Sequence, residues 1–204
     1  MPRQVDHEER RRLIAAAVCR LADERGLEGV TLRDVAARAQ VSMGAVQRCF
    51  ATKEEMLVFA LGYVGERIGE RVRARLVRSP AQSAASALGH AATEVELLRA
   101  EHRAEARVWL AFVAQAAVSP PLAATLRANY AALQEAFAHL IAEAGGGAGR
   151  AAPQDPGREA RAVLALADGL TTHVLIGHLA PEEAEEVLHA HLRRLWEGPA
   201  GDAG

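Results

Sequence analysis

Apolar positions along this 204-residue chain recur three and four residues apart, the spacing of helices that bury one side. Leu13, Ile14, Ala17, Val18 and Leu21 form the first such stripe, closed by Gly26. Short helices fit 32–39 and 43–50, and a longer one runs from about 53 to 77 with Leu57, Ala60, Val64 and Ile68 along one side. Further helices are predicted at 81–99, 102–117, 121–144, 158–178 and 181–196, about nine in all. Start signals punctuate the pattern: Asp6 before Glu9, Thr31 before Asp34, Thr52 before Glu55, and Ser79-Pro80 before Gln82. Each offers a side-chain acceptor to the open N–H groups of a first helical turn. Pro80, Pro120 and Pro181 suit first-turn positions, where a missing N–H costs nothing. No strand pattern or internal repeat interrupts the series, so the fold class is all-α.

Composition agrees with that class. Half of the residues are hydrophobic but only 4% are aromatic, which leaves few of the bulky side chains that strands favour. The Gly-rich stretch 145–157 reads as a flexible linker: it lacks the lysine and hydroxyl residue of a phosphate loop, and no strand precedes it. A polar tail at 197–204 reads as disordered. The expected division is a small helical head at 1–52 and a second, larger helical domain at 53–204. No apolar run is long enough to span a bilayer and no leader pattern opens the chain, so a cytoplasmic location is expected.

Charge adds one detail. The chain carries −2 overall, yet residues 1–53 sum to +3 and the remainder to −5. Nearly all the basic charge is arginine, and Lys53 is the sole lysine. A mildly basic N-terminal segment on an acidic body is compatible with phosphate contact.

Residues 31–50, TLRDVAARAQVSMGAVQRCF, have the build of a helix-turn-helix. Ala36 is small where two helices must cross, and Val35, Val41, Val46 and Phe50 can fill a three-helix core. Ser42 can cap the second helix, whose N-terminal end enters the major groove in such motifs. Gly44 removes a side chain where the backbone must approach DNA. With Thr31, Arg33, Val35 and Ala36, then Ala39, Val41, Ser42 and Gly44, then Phe50, Thr52, Lys53, Glu54 and Leu57, the segment resembles the TetR/AcrR family of transcriptional regulators. The match departs at three positions: Gln40 replaces the usual turn glycine, Gln47 a common tyrosine, and Cys49 a common aromatic or histidine. The C-terminal segment ALADGLTTHVLIGHLAPEEAEEVLHAHLRRLW resembles the choline-responsive, BetI-like subgroup, with Asp168-Gly169-Leu170 and Pro181-Glu182-Glu183 as its marks.

The resemblance implies a ligand-responsive regulator, a repressor, that binds a palindromic operator in double-stranded DNA as a homodimer and is released by a small effector. It assigns phosphate contacts to Thr31, Ser42, Gln47 and Lys53, and base edges to Arg33, Met43, Ala45 and Arg48. Two recognition helices would stand about 34 Å apart, or a multiple of that. Dimerisation through the last two long helices would use the stripes Leu166, Leu170 and Val174, and Leu188, Leu192 and Leu195. The effector pocket, suited to an apolar or amphipathic molecule, is expected among Tyr63, Arg67, Trp109, Phe112, Val113, Gln115, Tyr130, Phe137 and Thr171.

Other chemistries fare worse. No nucleophile elbow, phosphate loop, dinucleotide fingerprint or paired carboxylates support an enzyme, and no cofactor is implied. His189 and His191 are two apart and diverge on a helix, and His139 with Glu143 lacks obvious further ligands, so no metal site is expected. Two alternatives stand: a redox-responsive regulator acting through Cys49, and a helical ligand-binding or scaffold protein that no longer reads DNA.

Overall fold

The computed structural model describes residues 2–78, 83–95, 100–145 and 155–195. Among them are nine α-helices and one short 3-10 turn, with no strand. They are α1 (Pro2–Arg25), α2 (Leu32–Arg38), α3 (Met43–Cys49), α4 (Lys53–Arg78), α5 (Ala84–Val95), α6 (Arg103–Ala116), α7 (Pro120–Gly145), α8 (Pro156–Leu175) and α9 (Pro181–Arg194). The helix expected at 81–99 is described only over Ala84–Val95; linker positions 146–154 and the tail lie outside the described residues, while Asp155 caps α8 and Pro156 and Gly157 form its first turn rather than linker. Gly145 itself ends α7.

Local capping explains most of the boundaries. Thr31 Oγ1 accepts from the Asp34 amide at 3.2 Å, Ser42 Oγ from Ala45 at 3.1 Å and Thr52 Oγ1 from Glu55 at 3.0 Å. Asp155 caps α8 through the Arg158 amide, and Glu183 reaches back to the Ala180 N–H at 2.9 Å. One expected start fails. Helix α1 begins at Pro2, so Asp6 is not its start, and α5 is capped by Ser83, whose Oγ accepts from Ser86 at 3.2 Å. Ser79, Pro80 and Gln82 lie outside the described residues.

The chain divides into two compact units, 1–67 with 104–129, and 68–103 with 130–204, so α4 and α7 each contribute to both. In the first unit α1, α2 and α3 pack on one another around Ile14, Ala17, Val18, Leu21, Val35, Val46 and Phe50, all nearly inaccessible. Leu13, expected on that face, is instead 45% exposed, and Ala15 is buried in its place. Phe50 stacks 5.4 Å from Phe59, and the Arg11 guanidinium lies over both rings at 4.8 and 4.3 Å. Two ion pairs tie other elements to α1: Arg38 grips Glu24 through both terminal nitrogens at 2.6 and 2.7 Å, and Arg107 Nε meets Asp23 at 2.5 Å.

The second unit is built on α5, α8 and α9, with Leu88, Ala92, Phe137, Ile141, Val163, Leu164 and Leu188 among its buried residues. Its core takes in much of the two leucine stripes. Leu170, Val174, Leu188 and Leu192 are buried within the single chain, and Leu166 and Leu195 pack against the same cluster. Most of these side chains are therefore engaged in joining α8 to α9 within one chain, with Leu166 and Leu195 only partly buried. The faces those helices do expose carry Ala162, Ala165, Gly169 and His173 on α8 with Ile176 at its C-cap, and Glu183, Glu186 and Val187 on α9. Ile176 is 72% and Val187 43% exposed.

Candidate nucleic-acid interface

The link from α2 to α3 is a Schellman turn. Val41 N–H donates to Ala36 O at 3.0 Å and Gln40 N–H to Ala37 O at 3.2 Å. This bond pattern places the residue after the C-cap in the left-handed region, and Gln40 takes it with φ +56°. The missing turn glycine is thus tolerated rather than avoided. Ala36 (6% exposed) lets α2 and α3 pack closely, as a small residue at the crossing should.

Helix α3 then divides cleanly. Ala45, Val46 and Cys49 face inward, while Ser42, Met43, Gln47 and Arg48 face outward. A Cβ on Gly44 would meet only the Arg48 guanidinium, at 3.5 Å, so its backbone is otherwise open to approach. On α2 the side chain of Arg33 is exposed, as is Thr31 at the cap. Thr31 also donates its hydroxyl proton to Asp34 Oδ2 at 2.8 Å, which leaves the oxygen committed locally. Lys53 opens α4 with its Nζ on the carbonyls of Leu27 (3.4 Å) and Glu28 (3.5 Å), and an ammonium has a third donor. Exposed donors from α2, α3 and the start of α4 therefore share the unit that holds the helix-turn-helix. Ala45 differs from the rest of its set: at 7% exposure its methyl is turned into the head.

The chain matches the profile of the bacterial regulatory proteins of the tetR family over residues 13–58, and that of the BetI-type transcriptional repressor C-terminal region over residues 84–197. The chain belongs to the TetR family. Among curated relatives it is 33% identical over 178 residues to the HTH-type transcriptional regulator PksA of Bacillus subtilis, covering 86% of this chain and 83% of that one. It is 32% identical over 172 residues to the regulator BetI of Burkholderia mallei, covering 83% and 84%. Among solved structures, a transcriptional regulator from Rhodococcus sp. superposes with a TM-score of 0.80 at 31% identity, covering 92% of this chain and 96% of that one. A regulator from Saccharomonospora viridis, solved in complex with choline, gives 0.79 at 24% identity over 91% and 96%, a likeness of fold. This TetR-family chain is a DNA-binding transcriptional regulator of the repressor type, with a helix-turn-helix head and a C-terminal ligand-binding region.

The residues expected around an effector fall into two groups. Tyr63, Arg67, Trp109, Phe112, Val113 and Gln115 belong to the first unit, and Tyr130, Phe137 and Thr171 to the second. Phe112 and Phe137 are sealed in their own cores, and Trp109 is 5% exposed. Arg67 is exposed, its guanidinium 5.8 Å from the Tyr63 ring centroid. Gln115 lines a cleft of about 520 Å3 within the first unit, together with Leu27, Lys53, Glu54, Leu57 and Leu122. In the second unit the Tyr130 hydroxyl donates to the carboxylate of Asp168, a partner the sequence reading had not singled out for the pocket. Thr171 turns its hydroxyl onto Ala167 O at 2.8 Å.

One thiol is buried and the other partly so. Cys49 is 6% exposed on the inner face of α3, and burial pushes the Cys19 thiol up to about 12. A protonated thiol is a poor nucleophile toward peroxide, and a covered one is hard to reach. His139 and Glu143 approach to 3.9 Å on the exposed side of α7, and no group of three or more metal-ligating side chains occurs among the described residues. No helix among those residues is long and apolar enough to cross a membrane.

Proposed function

We propose that this TetR-family protein acts in the cytoplasm as a homodimeric repressor that reads a palindromic operator and leaves it when a small molecule binds. The carrying observation is the division of α3, with Met43, Gln47 and Arg48 exposed on one side and Val46 and Cys49 locked into the head on the other. Arg33, Met43, Gln47 and Arg48 are the candidates for reading and gripping DNA, with Ser42 and Lys53 on phosphates and Gly44 allowing close approach. Ala45 is left out of the base-reading group because its side chain is covered. An arginine bidentate to guanine discriminates by about 1–3 kcal/mol, whereas a phosphate contact positions without informing.

One short helix reads too few bases to be selective, and a two-fold dimer doubles the reading. The open faces of α8 and α9, carrying Ile176 and Val187 beside small residues, support a shared helical bundle between two copies. The choline in the Saccharomonospora relative supports a small-molecule site of some kind in the C-terminal region and does not carry its occupant to this chain. The reading requires no catalytic step. Redox control through Cys49 is the weaker alternative, because the thiol faces the interior.

The test is a titration of purified protein onto DNA from beside its own gene, at several salt concentrations, against a scrambled competitor. Competitor-resistant binding with a steep salt slope is expected, and the slope counts the phosphates engaged. Equal, weak binding to both DNAs across the flanking regions would refute the operator reading. A monomeric mass at micromolar concentration would refute the dimer.

A further inference from the structure

Helix α3 is seven residues long, about 10 Å at 1.5 Å per residue, so its aim depends on how both of its ends are held. The N-terminal end is set by the Ser42 cap and the turn from α2. The C-terminal end is held by a residue outside the helix-turn-helix, Arg11 of α1. The Arg11 guanidinium carbon lies 4.8 Å from the ring centroid of Phe50, the C-cap of α3, and 4.3 Å from that of Phe59 on α4. The two rings stand 5.4 Å apart and are tilted by 53°, so one cation serves both.

Ring faces and one carboxylate place this guanidinium. Its Nε is buried and makes no hydrogen bond, and its Nη2 is 3.8 Å from Glu55 Oε1, too far for one. The other oxygen of Glu55 accepts the Ala51 amide at 2.8 Å, and Thr52 caps the Glu55 amide at 3.0 Å. Glu55 therefore ties Arg11 to the backbone that leaves Phe50 and enters α4. An apolar side chain in the same place would cover the rings without preferring a direction. A cation is drawn to ring faces, and the planar head of arginine stacks on them. Direction matters here because α3 is short. A slip of about 1 Å at one end tilts it by about 5°. Good hydrogen bonds to base edges span a range of only about 0.5 Å.

We propose that Arg11 is a positioning residue for DNA reading. Through Phe50, Phe59 and Glu55 it fixes the angle at which α3 presents Met43, Gln47 and Arg48, and it does not touch DNA itself. The inference rests on the operator reading above and adds to it a residue from α1.

The test uses the full chain with a duplex that the wild-type protein selects from a randomised pool, and a scrambled duplex of equal length. Binding is measured well below the melting temperature of each variant, so that lost fold does not mimic lost aim. Arg11→Met keeps the stem and removes the charge. It is expected to weaken binding to the selected duplex by about tenfold or more, while the scrambled duplex changes by less than about twofold. The salt slope should stay the same, because no phosphate contact is lost. Arg11→Lys keeps the charge without the stacking plane and should fall between. Phe59→Leu should also lower discrimination, and by less in the Arg11→Met background than alone, since both act through one contact. Should Arg11→Met not fold, Arg11→Lys and Phe59→Leu carry the same comparison. Folded variants with unchanged discrimination would overturn the proposal and leave Arg11 a structural contact only. Equal losses on both duplexes, with a salt slope lower by about one, would make it a phosphate contact instead. Additive losses from Arg11→Met and Phe59→Leu would also overturn it. A wild-type protein that selects no sequence would remove the operator reading itself, an outcome known before any variant is made.

Discussion

Two helices of this molecule end in the same turn with different residues at its tightest point. At the end of α8, Gly177 donates to Val174 O at 3.1 Å and His178 to His173 O at 2.8 Å, with Gly177 at φ +73°. At the end of α2 the matching bonds come from Gln40 and Val41, and Gln40 stands at φ +56°. The two turns close the same backbone loop, and even the flanking contact is parallel: His178 sets its ring edge-on to His173 at 5.0 Å, where the α2 turn has Val41 and Ala36. A Cβ in the left-handed region costs about 1–2 kcal/mol, and glycine escapes that cost. The relaxed version therefore lies in the second unit and the strained one joins the two helices of the DNA-reading motif. Strain of this kind persists where surrounding contacts over-determine the backbone, and here Ala36, Val46 and the Ser42 cap do so.

Substitutions that exchange the two turns probe this contrast. The largest effect is expected from Gly177→Val, which places a β-branched side chain in the left-handed region and should cost about 2–3 kcal/mol in denaturant unfolding. Gly177→Gln makes the two turns alike and should cost about 1–2 kcal/mol; a Cβ there would touch nothing within 4 Å, so the loss is conformational and not a clash. Gln40→Gly relaxes the other turn and should stabilise by about 1 kcal/mol, read as a higher melting temperature. Its operator affinity should change by less than about threefold, because the hydrogen bonds that set the angle of α3 remain. A collapse of DNA binding in that variant would instead make the Gln40 side chain a DNA contact.

Acid separates the two units in a subtler way. Burial holds the His191 imidazole on α9 below its ordinary 6.5, so the folded state binds fewer protons than the unfolded chain. Its stabilisation is complete above that value and is lost as pH falls below it. The Arg38 guanidinium holds the Glu24 carboxylate below its ordinary 4.5, and that contribution is lost only as pH falls through the carboxylate range. Hydrogen exchange between pH 7 and 5 should thus weaken α9 before α2. His191→Gln should flatten the α9 response, and an unchanged profile would assign it to another group.

Much of the architecture was legible because helix ends are local events. Thr31, Ser42 and Thr52 announce their caps within four residues, and the alternation of three- and four-residue steps marks the buried sides. Asp6 misled because a good cap sequence can also lie inside a longer helix. The leucine stripes of α8 and α9 were legible only as stripes. Spacing shows that a face is apolar, and only the packing of α8 on α9 shows that its partner is the same chain. The contact of Arg71 with Glu94 was not legible at all, since neither residue has a neighbour in sequence that hints at the other.

The single lysine has a practical side. Arginine supplies every other basic side chain, so Lys53, at the first residue of α4 with its ammonium on two carbonyls, is the one ε-amine in 204 residues. An acyl donor or amine-reactive label finds no other lysine to dilute it. Guanidinium groups do not react under the same conditions. Once the α-amine at the chain start is accounted for, the extent of labelling with and without operator becomes a direct reading of one atom at the edge of the head.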